Sequence, residues 1–501
     1  MKADTPQSQR GLIRALGPLT ATAIVVGTVI GSGIFKKPQV VADNVPFFGL
    51  AALVWILGGV LALLGALAVA EIAVLFPRAG GNYVFLREGY GPLAGFLWGW
   101  VEFCIIKSAS IAALATIFSQ SLGDVLGTPA FQDALGLKLG GQPLGFWAQA
   151  WLTVAVILFL GFVNVLGVRW GGYLQLFITI IKVISLVGIA VLPFLAGALV
   201  GSGRSVPTVH AENLQPVWPG WNQWALGGFG SALVGVLWAY HGWMNVAPVA
   251  EEIRNPQRNI PLALLGGVAI IIALYLGANL GYYLIIPQEE MRHIVDTPVA
   301  TEFCRRLLGP IGVAVASAAV MCSVFGALNG NLLAGPRVIY AMGEDRLAPR
   351  VLGDVHPRFR TPAVAILVLA AWSSVLVLAG AGLARYRLPV FTLLGWNLDL
   401  NVPKGKPLFD IMTDFAIFGA VIFETSAVST IFVFRRRLPL AERAYHCWGY
   451  PFVPALYIAI MALVATNMVI YQRAEALAAV AFVSVGAVVY ALFFRKGKRR
   501  G

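Results

Sequence analysis

Long stretches of this chain carry no charge, and they recur. A helix of about 18 or more apolar residues matches the hydrocarbon core of a bilayer, roughly 30 Å thick. We read twelve such runs, at roughly 16–43, 47–76, 93–122, 146–166, 172–199, 224–252, 261–286, 310–342, 362–383, 411–434, 451–471 and 475–494. Hydrophobic residues make up 58% of the chain and charged residues 12%, more apolar surface than a water-soluble core absorbs. In hydrocarbon every backbone polar group needs an internal partner, which leaves helices or a closed barrel. Runs of this length are helical. The expected fold class is an all-α polytopic membrane protein with 12 transmembrane helices. The polar stretch Met1 to Arg14 leads into spans and not into a secreted domain, so no cleavable signal peptide is expected.

The net charge of +13 does not point to nucleic acid. Lysines and arginines concentrate in alternate short loops and at both ends, the positive-inside pattern, and they do not interleave with aromatics as a nucleic-acid surface needs. Arg10, Arg14 and Arg495-Lys496-Gly497-Lys498-Arg499-Arg500 mark both termini as cytoplasmic. The loops with Arg346, Arg350, Arg358 and Arg360, and with Arg435-Arg436-Arg437, agree. The loop from Gln288 to Arg306 mixes both signs, and Trp396 and Leu400 place the long loop from Arg385 to Asp410 on the surface or folded back. The reading is a single membrane domain over 1–501 with short tails, 1–15 and 495–501, in a cell (inner) membrane. Cys104, Cys304, Cys322 and Cys447 have no disulfide or metal-ligand spacing. Five histidines, no His-Glu-x-x-His, no Gly-x-Ser-x-Gly and no paired aspartates within spans speak against an enzyme, and no metal or cofactor is implied.

The first span contains Gly27-Thr28-Val29-Ile30-Gly31-Ser32-Gly33-Ile34-Phe35. Three glycines so close make a poor helix interior. Two readings are open: a small-residue packing face for a neighbouring helix, or an unwound turn lining a cavity. In the second, a half-helix beginning near Ile34 offers its N-terminus to a carboxylate. The sixth span echoes the first. It reads Trp238-Ala239-Tyr240-His241-Gly242-Trp243-Met244-Asn245, and Pro248 follows, so Gly and Pro both weaken its ladder. If the chain repeats over about 16–199 and 224–434, with 451–494 as two added helices, the two interruptions correspond. Matched interruptions point to a transporter's midplane binding site.

These residues resemble the amino acid–polyamine–organocation (APC) transporters, and within them the L-type amino acid transporters. The resemblance is carried by Gly31-Ser32-Gly33-Ile34-Phe35, by Glu71 with Phe76-Pro77-Arg78-Ala79-Gly80-Gly81-Asn82-Tyr83, and by Tyr240-His241-Gly242-Trp243. It continues through Glu251-Glu252-Ile253-Arg254-Asn255-Pro256-Gln257-Arg258-Asn259-Ile260-Pro261, Gly326-Ala327-Leu328-Asn329-Gly330 with Arg337 and His356-Pro357, Arg435-Arg436-Arg437-Leu438-Pro439 and Gly449-Tyr450-Pro451. It covers most of the chain and implies the five-plus-five inverted-repeat fold of LeuT, with helices 1 and 6 discontinuous.

The resemblance implies a sodium-independent transporter of amino acids, neutral ones favoured, working by alternating access as exchanger or proton symporter. An amino acid sensor on the same scaffold, and transport of cationic amino acids or polyamines, are the alternatives. The substrate carboxylate is expected on Ser32 Oγ and the N–H groups of Ser32 and Gly33, beside Gly31. The ammonium is expected on carbonyls at Val29 or Ile30, and at Trp238 and His241, with Tyr240 and Gly242 in the same unwound segment. Trp238 lies where the family places an aromatic gate. Lys182, deep in span 5, costs about 2.5–3.5 kcal/mol on insertion scales and therefore faces the interior. The resemblance makes its ammonium the surrogate for a sodium ion, with carbonyls near Gly27 and the hydroxyl of Ser323 as partners. Whether it is a fixed charge or a proton carrier stays open.

His241 departs from the family, where a small residue is usual. It can bond a substrate side chain, titrate near neutral pH, or narrow the cavity. Glu102 and Lys107 are read as a structural pair or as separately partnered, Glu424 as a pathway candidate, and Lys36 and Lys37 as a solvated rim. The loop from Ser121 to Phe146 has no cysteine, so no disulfide-linked heavy chain is expected, as for a prokaryotic member.

Overall fold

The computed structural model describes residues 12–126, 145–199, 209–218, 226–294, 297–386, 391–393, 396–398, 408–471 and 473–494. Residues 1–11 and 495–501 and most of the cysteine-free loop after span 3 lie outside them, as does Leu400. Among the described residues, eleven helices are long and apolar enough to cross a membrane. Span 6 supplies the twelfth crossing. Its helix, Leu226–Tyr240, has only 15 residues, because the chain breaks at Gly242, where φ is 107°. It continues as two short 3-10 turns, Trp243–Val246 and Ala250–Glu252. Span 1 is likewise two helices, Pro18–Val29 and Gly33–Asn44. The protein is therefore an all-α polytopic chain with discontinuous helices 1 and 6.

The remaining spans are Phe48–Leu75 (2), Phe146–Val165 (4), Val168–Leu199 (5), Pro256–Ile285 (7), Pro310–Glu344 (8), Ala363–Arg385 (9), Leu408–Arg437 (10), Phe452–Tyr471 (11) and Arg473–Val489 (12). Span 3 runs from Pro92–Val101 through a π-helical turn, Glu102–Lys107, into Ser108–Leu126. Several short elements lie outside the twelve spans. Short helices Asn82–Tyr90 and Val299–Leu308 follow spans 2 and 7. Within the long loop after span 9, Phe391–Leu393 pairs antiparallel with Trp396–Leu398.

Span 1 sits at the centre. Its first helix packs on spans 5, 7 and 8, and its second on span 6. Spans 3 and 8, and spans 4 and 9, pack as pairs around it. The approach at the breaks is close: a Cβ on Gly33 would lie 2.5 Å from Ala239 Cα. Lys37, read from sequence as part of a solvated rim, is 4% exposed. Its stem runs beside Gly235 of span 6, because the second helix of span 1 lies against that span.

One end of the bundle is locked by polar contacts. Glu252 O accepts the N–H groups of Ala15 and Leu16, and Arg254 N–H donates to Leu16 O, all at 2.9 Å. The Glu252 carboxylate takes Arg337 of span 8 in a two-pronged bond, 3.0 Å and 3.2 Å, with both side chains buried. Glu71 of span 2 similarly holds Arg435 at 2.8 Å and 2.7 Å, and the N–H of Cys447 at 2.7 Å. A buried ion pair is costly to break from one side, because the remaining charge is stranded. Arg337→Met is therefore expected to destabilise the protein by about 3–5 kcal/mol, with Glu252→Gln added to it restoring part of the loss. Melting of the two variants in detergent measures this.

Candidate functional site

The two breaks face each other and enclose a cavity. Span 1 contributes Thr28, Val29, Gly31, Ser32 and Gly33; span 6 contributes Trp238, His241 and Gly242; spans 3 and 8 contribute Ser110, Leu114 and Asn331. Seven of the residues singled out from sequence thus meet around one cavity: Val29, Gly31, Ser32, Gly33, Trp238, His241 and Gly242. Two do not line it. The Ile30 carbonyl faces Lys182, and Tyr240 lines a second, adjoining cavity.

The hydrogen-bond inventory of the first break is lopsided. The helix after it starts its ladder with Phe35 and Lys36 N–H bonding to Ser32 O at 3.2 Å and 3.1 Å. This leaves the N–H groups of Ser32, Gly33 and Ile34 without a backbone acceptor among the described residues, as at any helix start. Ser32 Oγ is also buried without a partner among the described residues. Four donors therefore collect at the positive end of a helix dipole.

The carbonyls, by contrast, are taken. Val29 O accepts from Gly31 N–H at 2.7 Å and lies 3.0 Å from Tyr275 Oη. Ile30 O lies 2.6 Å from Lys182 Nζ and 3.1 Å from Ser323 Oγ. Each carbonyl expected to receive the ammonium is thus already engaged within the protein, Val29 O by Gly31 N–H and Ile30 O by the Lys182 ammonium, while the single protons of Tyr275 and Ser323 are shared with Ala239 O and Gly31 O. Across the cavity, Trp238 O accepts His241 N–H, at 3.1 Å, and His241 O accepts nothing among the described residues.

Lys182 is 1% exposed. Its ammonium donates to Gly27 O and Ile30 O, each at 2.6 Å, so it joins the last turn of the first half-helix to the break itself. Ser323 Oγ lies 3.1 Å from Ile30 O and from Gly31 O and shares that strand of carbonyls without touching the lysine. Tyr275 Oη, 2.9 Å from Ala239 O as well, spans both breaks from span 7.

A second polar group backs the cavity. The π-helical turn of span 3 sets Lys107 Nζ 3.3 Å from Glu102 Oε1, 2.8 Å from Asn245 Oδ1 and 3.2 Å from Asn331 Oδ1. Glu102 and Lys107 are thus a true pair, and through Asn331 they support the cavity wall. Sequence reasoning missed Ser110, Asn331 and Tyr275. Asn329-Gly330-Asn331, two amides within an apolar span, was the available signal for one of them; a serine and a tyrosine in such spans give none. Among the described residues no cluster of His, Cys, Asp and Glu is arranged to hold a metal.

The family model for amino acid permease matches residues 16–496. The chain belongs to the amino acid permease family. Among its relatives, the serine/threonine exchanger SteT of Bacillus subtilis (strain 168) is 32% identical over 451 residues, covering 90% of both chains. The human b(0,+)-type amino acid transporter 1 is 32% identical over 369 residues, 74% of this chain and 71% of its own. The human cystine/glutamate transporter is 29% identical over 374 residues, 75% and 70%.

The buried, unpartnered Ser32 hydroxyl gives this permease a test that separates structure from ligand. Ser32→Ala removes an unsatisfied polar atom, which is neutral or mildly stabilising, by up to about 1 kcal/mol. It is expected to leave ligand-free melting unchanged or raised. The same change is expected to weaken stabilisation by amino acids about fivefold in concentration, the worth of one hydrogen bond. A melting series against ligand concentration reads both effects.

Proposed function

We propose that this permease exchanges amino acids across the membrane without sodium, by alternating access around the cavity between the two breaks. The observation that carries the reading is the segregation of hydrogen-bond capacity there. Free donors gather at Ser32, Gly33 and Ile34, and free acceptor capacity lies opposite at His241 O. A zwitterion presents one carboxylate and one ammonium on a single carbon, and this arrangement complements both with no charged side chain in contact. Helix dipoles supply the field: N-termini favour anions, and unwound carbonyls favour cations.

Lys182 acts in this reading as a built-in cation. It occupies the place between spans 1, 5 and 8 where sodium-coupled relatives are expected to hold an ion, and it keeps the broken helix in order. Exchange is favoured because a relative covering nine-tenths of both chains is named an exchanger. Neutral substrates are favoured because Lys182 and the Glu102–Lys107 pair are internally neutralised or bonded to backbone. The repeats over about 16–199 and 224–434 move as two inverted halves, with 451–494 outside them. The protein works in the cell membrane with both termini cytoplasmic, without a disulfide-linked heavy chain, and it catalyses no covalent chemistry.

Purified protein in liposomes tests the reading. Labelled neutral amino acid is expected to enter vesicles preloaded with unlabelled amino acid, with equal rates in sodium and choline buffers. Empty vesicles are expected to take up little. Lys182→Ala is expected to reduce the exchange rate by at least about tenfold. Uptake into empty vesicles driven by a proton gradient would replace exchange with symport. Absence of uptake of any amino acid would reject the transporter reading.

A further inference from the structure

Spans 3, 10 and 12 do not close on one another. Between them lies a cavity of about 230 Å³, and no residue of spans 1 or 6 lines it. Span 3 contributes Val101 and Ile105, span 10 contributes Phe418 and Ile422, and span 12 contributes Ala479, Val480 and Ser484. Packed interiors leave few voids larger than a water molecule. A dry apolar cavity of roughly 150 Å³ already takes up benzene, so this one has room for a larger apolar guest.

The lining decides the chemistry of the guest. Among the described residues that line it, Ser484 is the one with a polar side-chain atom, and its hydroxyl donates back to Val480 O at 2.8 Å. A buried water needs about two to four polar partners, and an amino acid needs more. This wall supplies neither. The rim decides where the guest comes from. Ile422 and Val480 line the cavity and are also 40% and 56% exposed. The opening is therefore continuous with the surface that these spans turn to hydrocarbon. Towards Arg437 and Phe494 an aromatic column closes the seam between spans 3 and 12. Trp100 stacks on Phe482 with ring centres 5.4 Å apart, and on Phe96 at 6.3 Å, and Phe96 meets Phe494 at 5.2 Å. A helix of a second copy, about 10 Å across, does not enter such a space. A flexible hydrocarbon chain does.

We infer that this cavity holds one acyl chain of a bilayer phospholipid, inserted sideways between spans 3, 10 and 12. The chain lies against the π-helical turn of span 3: Val101 precedes that turn and Ile105 belongs to it. The same turn carries Lys107, which bonds Asn331 of the cavity between the breaks at 3.2 Å. Trp372 of span 9 holds the turn from another side, its Nε1 donating to Cys104 O at 3.0 Å. The bound chain thus completes the packing of an irregular turn that supports the wall of the central cavity.

A phosphatidylcholine with a photoactivatable diazirine in one acyl chain is the probe, in liposomes of the full-length protein. Val101 and Phe418 are 3% and 2% exposed, so lipid that only surrounds the bundle does not reach them. After illumination, label is expected on both. Label is also expected on the outward face of span 4, at the exposed Trp151 and Phe159, which reports surrounding lipid. Ala479→Phe fills the cavity from span 12, and Ser484→Phe fills it from the rim. Whichever of the two folds is expected to lose the label at Val101 and Phe418 and to keep that on span 4. Absence of label at Val101 and Phe418 in the wild type overturns the inference without recourse to any variant, because the three spans then close on one another in the bilayer. Label there that persists in a folded variant overturns it as well. The labelling reads no transport, so its failure leaves the exchange reading in place, and a failure of exchange leaves this site in place.

Discussion

A helix broken inside hydrocarbon exposes backbone groups that water cannot reach, and the rest of this structure answers that demand. The break in span 1 frees the carbonyls from Gly27 to Gly31. Spans 5, 7 and 8 each send one polar side chain to meet them: Lys182, Tyr275 and Ser323. Each of these is deeply buried on its own helix, so each fixes the rotation of that helix against span 1. The glycines serve the same end. Gly33 lets the second half-helix approach span 6 at Ala239 more closely than any side chain permits, which brings the two breaks into register.

The answer is one-sided, and the site follows from that. Gly27 O, Val29 O and Ile30 O of the first break are met by donors of the protein, while the N–H groups of Ser32, Gly33 and Ile34 meet no backbone acceptor among the described residues. Leaving donors unpaired in a dry interior costs free energy, and a structure tolerates it when a ligand completes the set. The Glu102–Lys107 pair shows the contrast. It sits as deep, but Asn245 and Asn331 close its hydrogen bonds, so it shapes the wall and leaves nothing for a ligand to complete.

Much of this was legible in the sequence because hydrocarbon makes polar and flexible residues exceptional. Twelve spans, the glycine-rich break, the Gly–Pro interruption of span 6 and the isolated Lys182 all stand out against apolar runs. What was not legible depends on direction. The glycines announce a break near Ile30, but which way its carbonyl turns is set by Lys182 and Ser323, far along the chain. Nothing in Tyr240 reveals that it points away from the first cavity while His241 beside it lines both. Glu424 and His241 are each odd in their spans, yet only the packing of span 10 on span 6 brings Glu424 Oε1 to 3.3 Å from His241 Nε2. Lys37 misled for the opposite reason: a charged residue after a break reads as solvated, and here its stem is covered by a neighbouring helix.

The lysine at the first break has a consequence for energetics. A dissociable ion enters and leaves with each cycle, and its gradient can be drawn on to concentrate cargo. An ammonium bonded to the polypeptide makes the same electrostatic repair and never leaves. On the exchange reading proposed above, such a machine has no external battery, and it equilibrates the ratios of its substrates across the bilayer. The composition of the cell's amino acid pool, not its membrane potential, then decides which way each species flows.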